Sequence, residues 1–287
     1  MTVHRRSLDA AHPTPDTGGP GPDPFAVRVA GRHLYDRVTH GYVRLDEPSW
    51  LTQLALAYER VYAAPAVPAV RNAFNAARAR DALAPDFLLD FATAVEATFD
   101  VDVIRLDNVD GDFAFGTAGH AAIVVGTTPN WFFQNWSMAH ELGHILRGEL
   151  ADQSPVIGAR TSERAANAFA SELLLPAEVV SSRDWLEPLE ADVADFVWES
   201  GVSTRALASR LRSLKIETSP GVRAMLASST SRLVLRSSIL LKDPSGLQRR
   251  AAASSTPRLP FDLVDAHRTA IAEGRISSDS LDWLLAS

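Results

Sequence analysis

Residues 140–144 read His-Glu-Leu-Gly-His. If this stretch is helical, His140 and His144 stand one turn apart on one face. Two imidazoles so placed can hold one Zn2+, each at about 2.0–2.1 Å. Glu141 then sits about 100° round the helix. That puts it beside such a metal without being forced to bind it, where it can act as a general base. A catalytic zinc needs a third protein ligand and one open position. The chain contains no cysteine, so that ligand must be a histidine or a carboxylate. His120 is the nearest other histidine, and Glu163 and Glu172 are the carboxylate candidates on the next helical stretch. The nine positions between the two glutamates put them on opposite sides of a helix, so only one can face the metal. Asn167 is four residues after Glu163 and shares its face. It is expected to hydrogen-bond a ligating histidine and fix its ring. Plainer roles stand beside these: a helix-dipole acid for Glu163 and a polar packing residue for Asn167.

These residues need elements to position them. Thr128 can cap a helix, Pro129 suits its first position and Gly148 its exit, predicting a helix over Pro129–Arg147. A second helix is expected from Ser162 to Leu175, capped by Thr161 and stopped by Pro176. Ahead of them, Val101–Leu106, Phe113–Phe115 and Ala121–Val125 read as strands, separated by the turn signals Asp110–Asp112 and Gly116–Gly119. Further upstream, helical spacing is read near Phe25–Thr39, Ser49–Ala63, Val67–Ala82 and Asp86–Phe99. Residues 1–24, with five prolines from Pro13 to Pro24, read as a disordered tail.

Composition narrows the classes. The 287 residues are 46% hydrophobic and 22% charged, which suits a globular chain. Lack of cysteine removes disulfides, iron–sulfur clusters, Cys-ligated zinc and thiol nucleophiles, and suits the cytoplasm. No stretch reaches the roughly 18 apolar residues of a membrane span, so no membrane partner is expected. The net charge of −7 conceals an asymmetry. Residues 201–260 carry eleven Lys and Arg against only Glu217 and Asp243. Across the start of this block, Asp192–Gly201 and Ser203–Leu214 read as helix, glycine turn and helix. The second helix bears Arg205, Arg210 and Arg212, followed by Lys215. Such a pair fits a helix-turn-helix contacting DNA through 201–260. It equally fits a small helical domain docking on a partner or on the acidic rest of the chain. Two short helices, Pro260–Gly274 and Ser277–Leu285, close the chain.

Trp136–His144, followed by Glu163-Arg-Ala-Ala-Asn-Ala-Phe-Ala-Ser-Glu-Leu-Leu-Leu-Pro176, resembles the ImmA/IrrE family of metallopeptidases. That family pairs an HELGH helix with E-x-x-A-N-x-F-A-x-x-L-L-x-P, and every fixed position of the second pattern is present. The resemblance is close over about 86–176 and looser over 177–285. It implies an α+β, mostly helical fold: a zincin-like core with a small sheet beside the HExxH helix, then a helix-turn-helix-like C-terminal region. The corresponding division is 1–24 tail, 25–85 helical region, 86–177 peptidase core and 178–287 helical domain, with the helix-turn-helix at 192–215. It implies a gluzincin-like Zn2+ site with His140, His144 and Glu163 as ligands and Glu141 as base. The implied activity is a zinc endopeptidase cutting a regulatory protein, a helix-turn-helix repressor, with the peptide expected to add as a strand beside Phe113–Phe115 or Ala121–Val125. The alternative is a zinc-stabilised regulator or phage- or toxin-linked interaction protein that binds DNA or a repressor without cleaving it. Arg160, Arg164, His120 and Tyr62 are the candidates for a second oxyanion donor.

Overall fold

The computed structural model describes residues 3–4, 28–30, 33–36, 41–44, 49–62, 74–109, 111–117, 119–150 and 159–286. The strands are β1 (Val3–His4), β2 (Arg28–Ala30), β3 (His33–Asp36), β4 (Gly41–Arg44), β5 (Val101–Leu106), β6 (Phe113–Thr117) and β7 (His120–Gly126). Helices α1 (Ser49–Val61), α2 (Ala76–Ala82) and α3 (Phe91–Phe99) precede β5, and α4 (Trp131–Leu146) and α5 (Ala159–Leu174) follow β7. Then come α6 (Ala177–Ser181), α7 (Glu190–Ser200), α8 (Thr204–Ser213), α9 (Pro220–Ala227), α10 (Thr230–Val234) and α11 (Ser238–Lys242). The last helices are α12 (Gly246–Ser255), α13 (Phe261–Ala272) and α14 (Asp279–Ala286). The fold is α+β and mostly helical, with a small sheet against the HExxH helix α4.

The sheet order is β1-β2-β6-β7-β5, with β7 parallel to β5 and antiparallel to β6. Alternation divides the strands between two layers. Ala114, Ala121, Ile123 and Val125 face one layer with Met138, Leu142 and Ile145 of α4. Phe113, Phe115, Ala122 and Val124 face the other with Leu51, Leu54 and Tyr58 of α1, Leu263 of α13 and Leu284 of α14. Covered on both faces, β7 is almost continuously apolar, as a central strand must be. The α4 layer is continuous from Ala76 through α4 and α5 to Leu240 in α11. Among the described residues no helix is long and apolar enough to cross a membrane.

Several elements differ from expectation. The stretch expected as a helix near Phe25–Thr39 contains strands β2 and β3. β2 pairs antiparallel with β6, placing Val29 opposite Phe115. A strand edge offers unpaired backbone groups that a short segment can satisfy whatever its side-chain spacing. Val3–His4 of the expected tail pairs with β2 in turn. Of the helix expected over Val67–Ala82, only Ala76–Ala82 is seen, and 63–73 lie outside the described residues. Helix α4 starts two residues late because Asn130 caps it, accepting from Phe133 N at 3.3 Å. Thr128 Oγ1 instead accepts from Asn130 N at 3.1 Å. Helix α5 begins earlier than predicted, at Ala159, so Glu163 lies in its second turn. The α7–α8 pair forms as read, with Gly201 left-handed at φ 63° and Ser203 capping α8 through Ala206 N.

Candidate metal centre

Helix α4 is anchored at its start before it presents any chemistry. Gln134 Nε2 donates to Gly126 O at the end of β7 (2.9 Å) and to Ser254 O of α12 (3.1 Å). Two turns on, Gly143 faces α5. A Cβ there would stand 3.1 Å from three carbons of Phe169, so the glycine sets how closely the two helices pack. At its exit, Gly148 takes φ 78°, the left-handed conformation glycine tolerates best.

That packing brings His140, His144 and Glu163 together, each offering a ligand atom within 4.8 Å of the others. His140 Nε2 lies 3.1 Å from Glu163 Oε2 and 3.1 Å from His144 Nε2, and His144 Nε2 lies 3.7 Å from Glu163 Oε1. Ligands about 2.0–2.1 Å from a tetrahedral zinc stand about 3.3 Å apart, so the spacing fits. The donor chemistry fits too: two imidazoles and one carboxylate, buried or half-buried, with no sulfur. Glu172, the competing carboxylate, points elsewhere. It binds Arg210 and accepts from Ala177 N at 3.1 Å.

His144 is fully buried, and its other nitrogen is engaged. Nδ1 lies 2.6 Å from Glu149 Oε2, which also accepts from Ser162 Oγ at 2.5 Å. Burial alone would raise the Glu149 carboxyl. Hydrogen bonds from His144 and Ser162, with the Arg147 charge nearby, hold it below the usual carboxylate range. An ionised carboxylate only accepts, so Nδ1 carries the proton and Nε2 keeps its lone pair for a metal. Burial likewise lowers the His144 pKa, favouring the neutral ring that ligation requires. Glu149 thus takes the part expected of Asn167. Asn167 Nδ2 donates instead to the Glu163 backbone carbonyl, one turn back, at 2.8 Å. The i, i+4 spacing that gives Asn167 the face of Glu163 also brings that carbonyl within its reach. Glu149 lies five residues past His144, beyond the helix end, where periodicity gives no guidance. Its only sequence signal was an acid just after the helix exit.

Glu141 is 3% exposed, and its Oε2 has no hydrogen-bond partner. Burial, then the charges of Asp112 and Glu163, push its pKa well up, opposed by a hydrogen bond from the Ala114 backbone. That bond sets β6 directly beside Glu141. Asp112, which sequence reasoning passed over as part of a turn, also reaches this region. It accepts from Gly126 N at 3.3 Å and bonds Ser137 of α4. Of the oxyanion candidates, Arg164 is exposed, and the side chain of Arg160 lies outside the described residues. His120 and Tyr62 stack on each other 4.0 Å apart in the α1 layer, across the sheet from α4.

A long helix carrying two histidines and an acid, a second helix returning a glutamate, and a small sheet alongside define a zincin-type metallopeptidase. Residues 97–212 match the IrrE N-terminal-like domain of the peptidase M78 family. With its HExxH…E ligand cluster, this region is an ImmA/IrrE-like zinc metallopeptidase domain, and its activity is that of a zinc-dependent endopeptidase acting on protein. No curated protein matches the chain significantly.

Proposed function

We propose that the protein hydrolyses a peptide bond in a regulatory protein of the helix-turn-helix repressor class, in the cytoplasm. Its zinc ligands are His140, His144 and Glu163, and its general base is Glu141. The observation that carries this reading is Glu141 itself: a buried carboxylate with one oxygen unpartnered, beside a complete ligand set. A purely structural metal site has no use for such a group. Zinc bound there supplies Lewis acidity toward water and the scissile carbonyl.

The chain's own residues do the rest. Glu141 accepts a proton from the attacking water and delivers it to the departing amine. Glu149 and Ser162 hold the His144 ring. Strand addition by the substrate meets an obstacle. Both edges of β6 and both edges of β7 are already paired, and β2 occupies the edge of β6 nearest the chain's start. Since Ala114 of β6 bonds Glu141, a peptide that pairs with β6 replaces Arg28–Ala30.

The C-terminal helices support a docking role over a DNA-binding one. Arg210 of α8 binds Glu172 and Leu175 O, the latter at 2.9 Å, and Arg258 binds Glu96 through both nitrogens. Part of the basic block is therefore used within the chain. The test supplies zinc and purified helix-turn-helix repressors to wild type and to Glu141→Gln. Cleavage by wild type alone supports the proposal. Cleavage that survives the substitution overturns the mechanism, and repressor or DNA binding without any cleavage favours the binding-only regulator.

A further inference from the structure

Two cavities share Arg250, Leu88 and Leu89 as a common wall. The smaller, about 240 Å³, has Arg105, Gln134 and Ser254 on its lining. The larger, about 460 Å³, is lined by Phe87, Leu174, Phe196 and Trp198 among others. Neither is the metal centre, although Trp131, Gln134 and Met138 of α4 wall the smaller one.

Two of the three arginines lining the smaller cavity are unusual. Arg105 is 8% exposed. It donates only to neutral acceptors: Gln134 Oε1 (2.9 Å), Ala253 O (2.9 Å) and Thr256 O (3.1 Å). Arg250 donates to Trp198 O at 2.8 Å, and its guanidinium carbon lies 3.8 Å from the Trp198 ring centre and 4.8 Å from that of Trp131. Among the described residues neither forms an ion pair, and each keeps an Nη2 without a hydrogen bond. Of the other charges on the wall, Asp90 offsets part of the Arg105 charge without an ion pair, and Arg258 opposes it. Arg258 is satisfied by Glu96. Asp90 caps α3, accepting from Thr93 N and Thr93 Oγ1. In the larger cavity, Arg80 donates to Leu173 O at 2.5 Å and the Arg183 guanidinium lies over the Phe196 ring.

Burying a cation without a counter-charge is costly. Here burial pushes the Arg250 pKa down to about 10. A guanidinium fork with free N–H groups is the natural partner of a carboxylate or phosphate. The neighbouring aromatic and aliphatic wall suits an apolar body.

We infer that the smaller cavity binds a small amphiphilic anion, its carboxylate or phosphate head on Arg105 and Arg250 and its apolar or aromatic body against Phe91, Trp131 and Met138. The inference is independent of the peptidase chemistry. Calorimetric titration of the full chain with phenyl phosphate, benzoate, inorganic phosphate and phenol tests it. One of the two aromatic anions is expected to bind with a stoichiometry of one, about tenfold or more tighter than inorganic phosphate and than phenol. Whichever head group binds tighter identifies the ligand's source. Arg250→Gln, which can still donate to Trp198 O, should weaken that binding by about tenfold or more. Should this variant fail to fold, quenching of wild-type tryptophan fluorescence by the bound anion that is lost in Trp131→Phe reports the site, since the chain holds six tryptophans. Absence of binding by either aromatic anion up to about 10 mM overturns the inference. So does equal affinity for phenol, or full affinity in the folded Arg250→Gln chain.

Discussion

The two faces of the sheet hold similar residues to different effect. On the α4 face, His140 and His144 meet Glu163, with Glu149 behind. On the α1 face, His120 Nδ1 lies 3.9 Å from Asp102 Oδ2, Tyr58 Oη donates to the same carboxylate at 2.6 Å, and Tyr62 stacks on the imidazole. Both clusters pair histidine with carboxylate over an apolar layer. In the first, three lone pairs converge because two come from successive turns of one helix and the third from a helix packed tightly across it. In the second, the groups come from strand starts and a helix flank, and they satisfy one another. Among the described residues only the first forms a three-ligand group. Residue type alone does not make a metal site; the rigidity and phase of the elements do.

Breaking the comparison begins with the base. Glu141→Gln should lower peptide hydrolysis by about 10³-fold while zinc content stays at wild type, measured by turnover and metal analysis. Next comes a pair across the sheet. His144→Ala should abolish stoichiometric zinc binding, whereas His120→Ala should leave it intact; zinc loss in both would erase the distinction between the faces. Glu149→Gln, which weakens the hold on His144 without removing a ligand, should reduce zinc affinity about 10–100-fold in a chelator competition.

The α1 face predicts a pH effect on stability. Burial raises the Asp102 carboxyl from 3.8 to about 6, with the Tyr58 hydrogen bond opposing. The fold therefore prefers the neutral acid. The stability this confers is complete below about pH 4 and is lost as pH rises through 6. Asp102→Asn should accordingly be more stable than wild type at pH 8, by about 1–3 kcal/mol in denaturant melts, with the gap closing toward pH 4. The smallest effect concerns the edge of β6. A chain lacking residues 1–30 should show a KM for extended peptides lower by about threefold with kcat unchanged, since β2 no longer competes. An unchanged KM would detach β2 from substrate binding.

The legible parts of this molecule were those governed by local rules. The spacing of His140 and His144, the strand at Val101–Leu106 and the α7–Gly201–α8 corner each follow from a period or a turn residue within a dozen positions. Glu149, Asp112 and the Arg105–Arg250 cavity depend on contacts between distant segments, which periodicity does not encode. Strand β2 shows the same limit from the other side. Its neighbours in sequence suggested a helix, and its neighbour in space, the edge of β6, decided otherwise. The charge asymmetry was visible as a count, but the destinations of Arg210, Arg250 and Arg258 became clear only with the packing.

Gly143 carries one further consequence. In HExxH it occupies a position that the chemistry leaves open, yet here Phe169 fills the space a side chain would need. Any larger residue must push α5 away by some tenths of an ångström, and Glu163 rides on α5. Designers wishing to retune the metal preference of this scaffold therefore have a dial remote from the ligands. Paired exchanges at 143 and 169, trading bulk from one helix to the other, would widen or narrow the coordination sphere while leaving every donor atom in the sequence untouched.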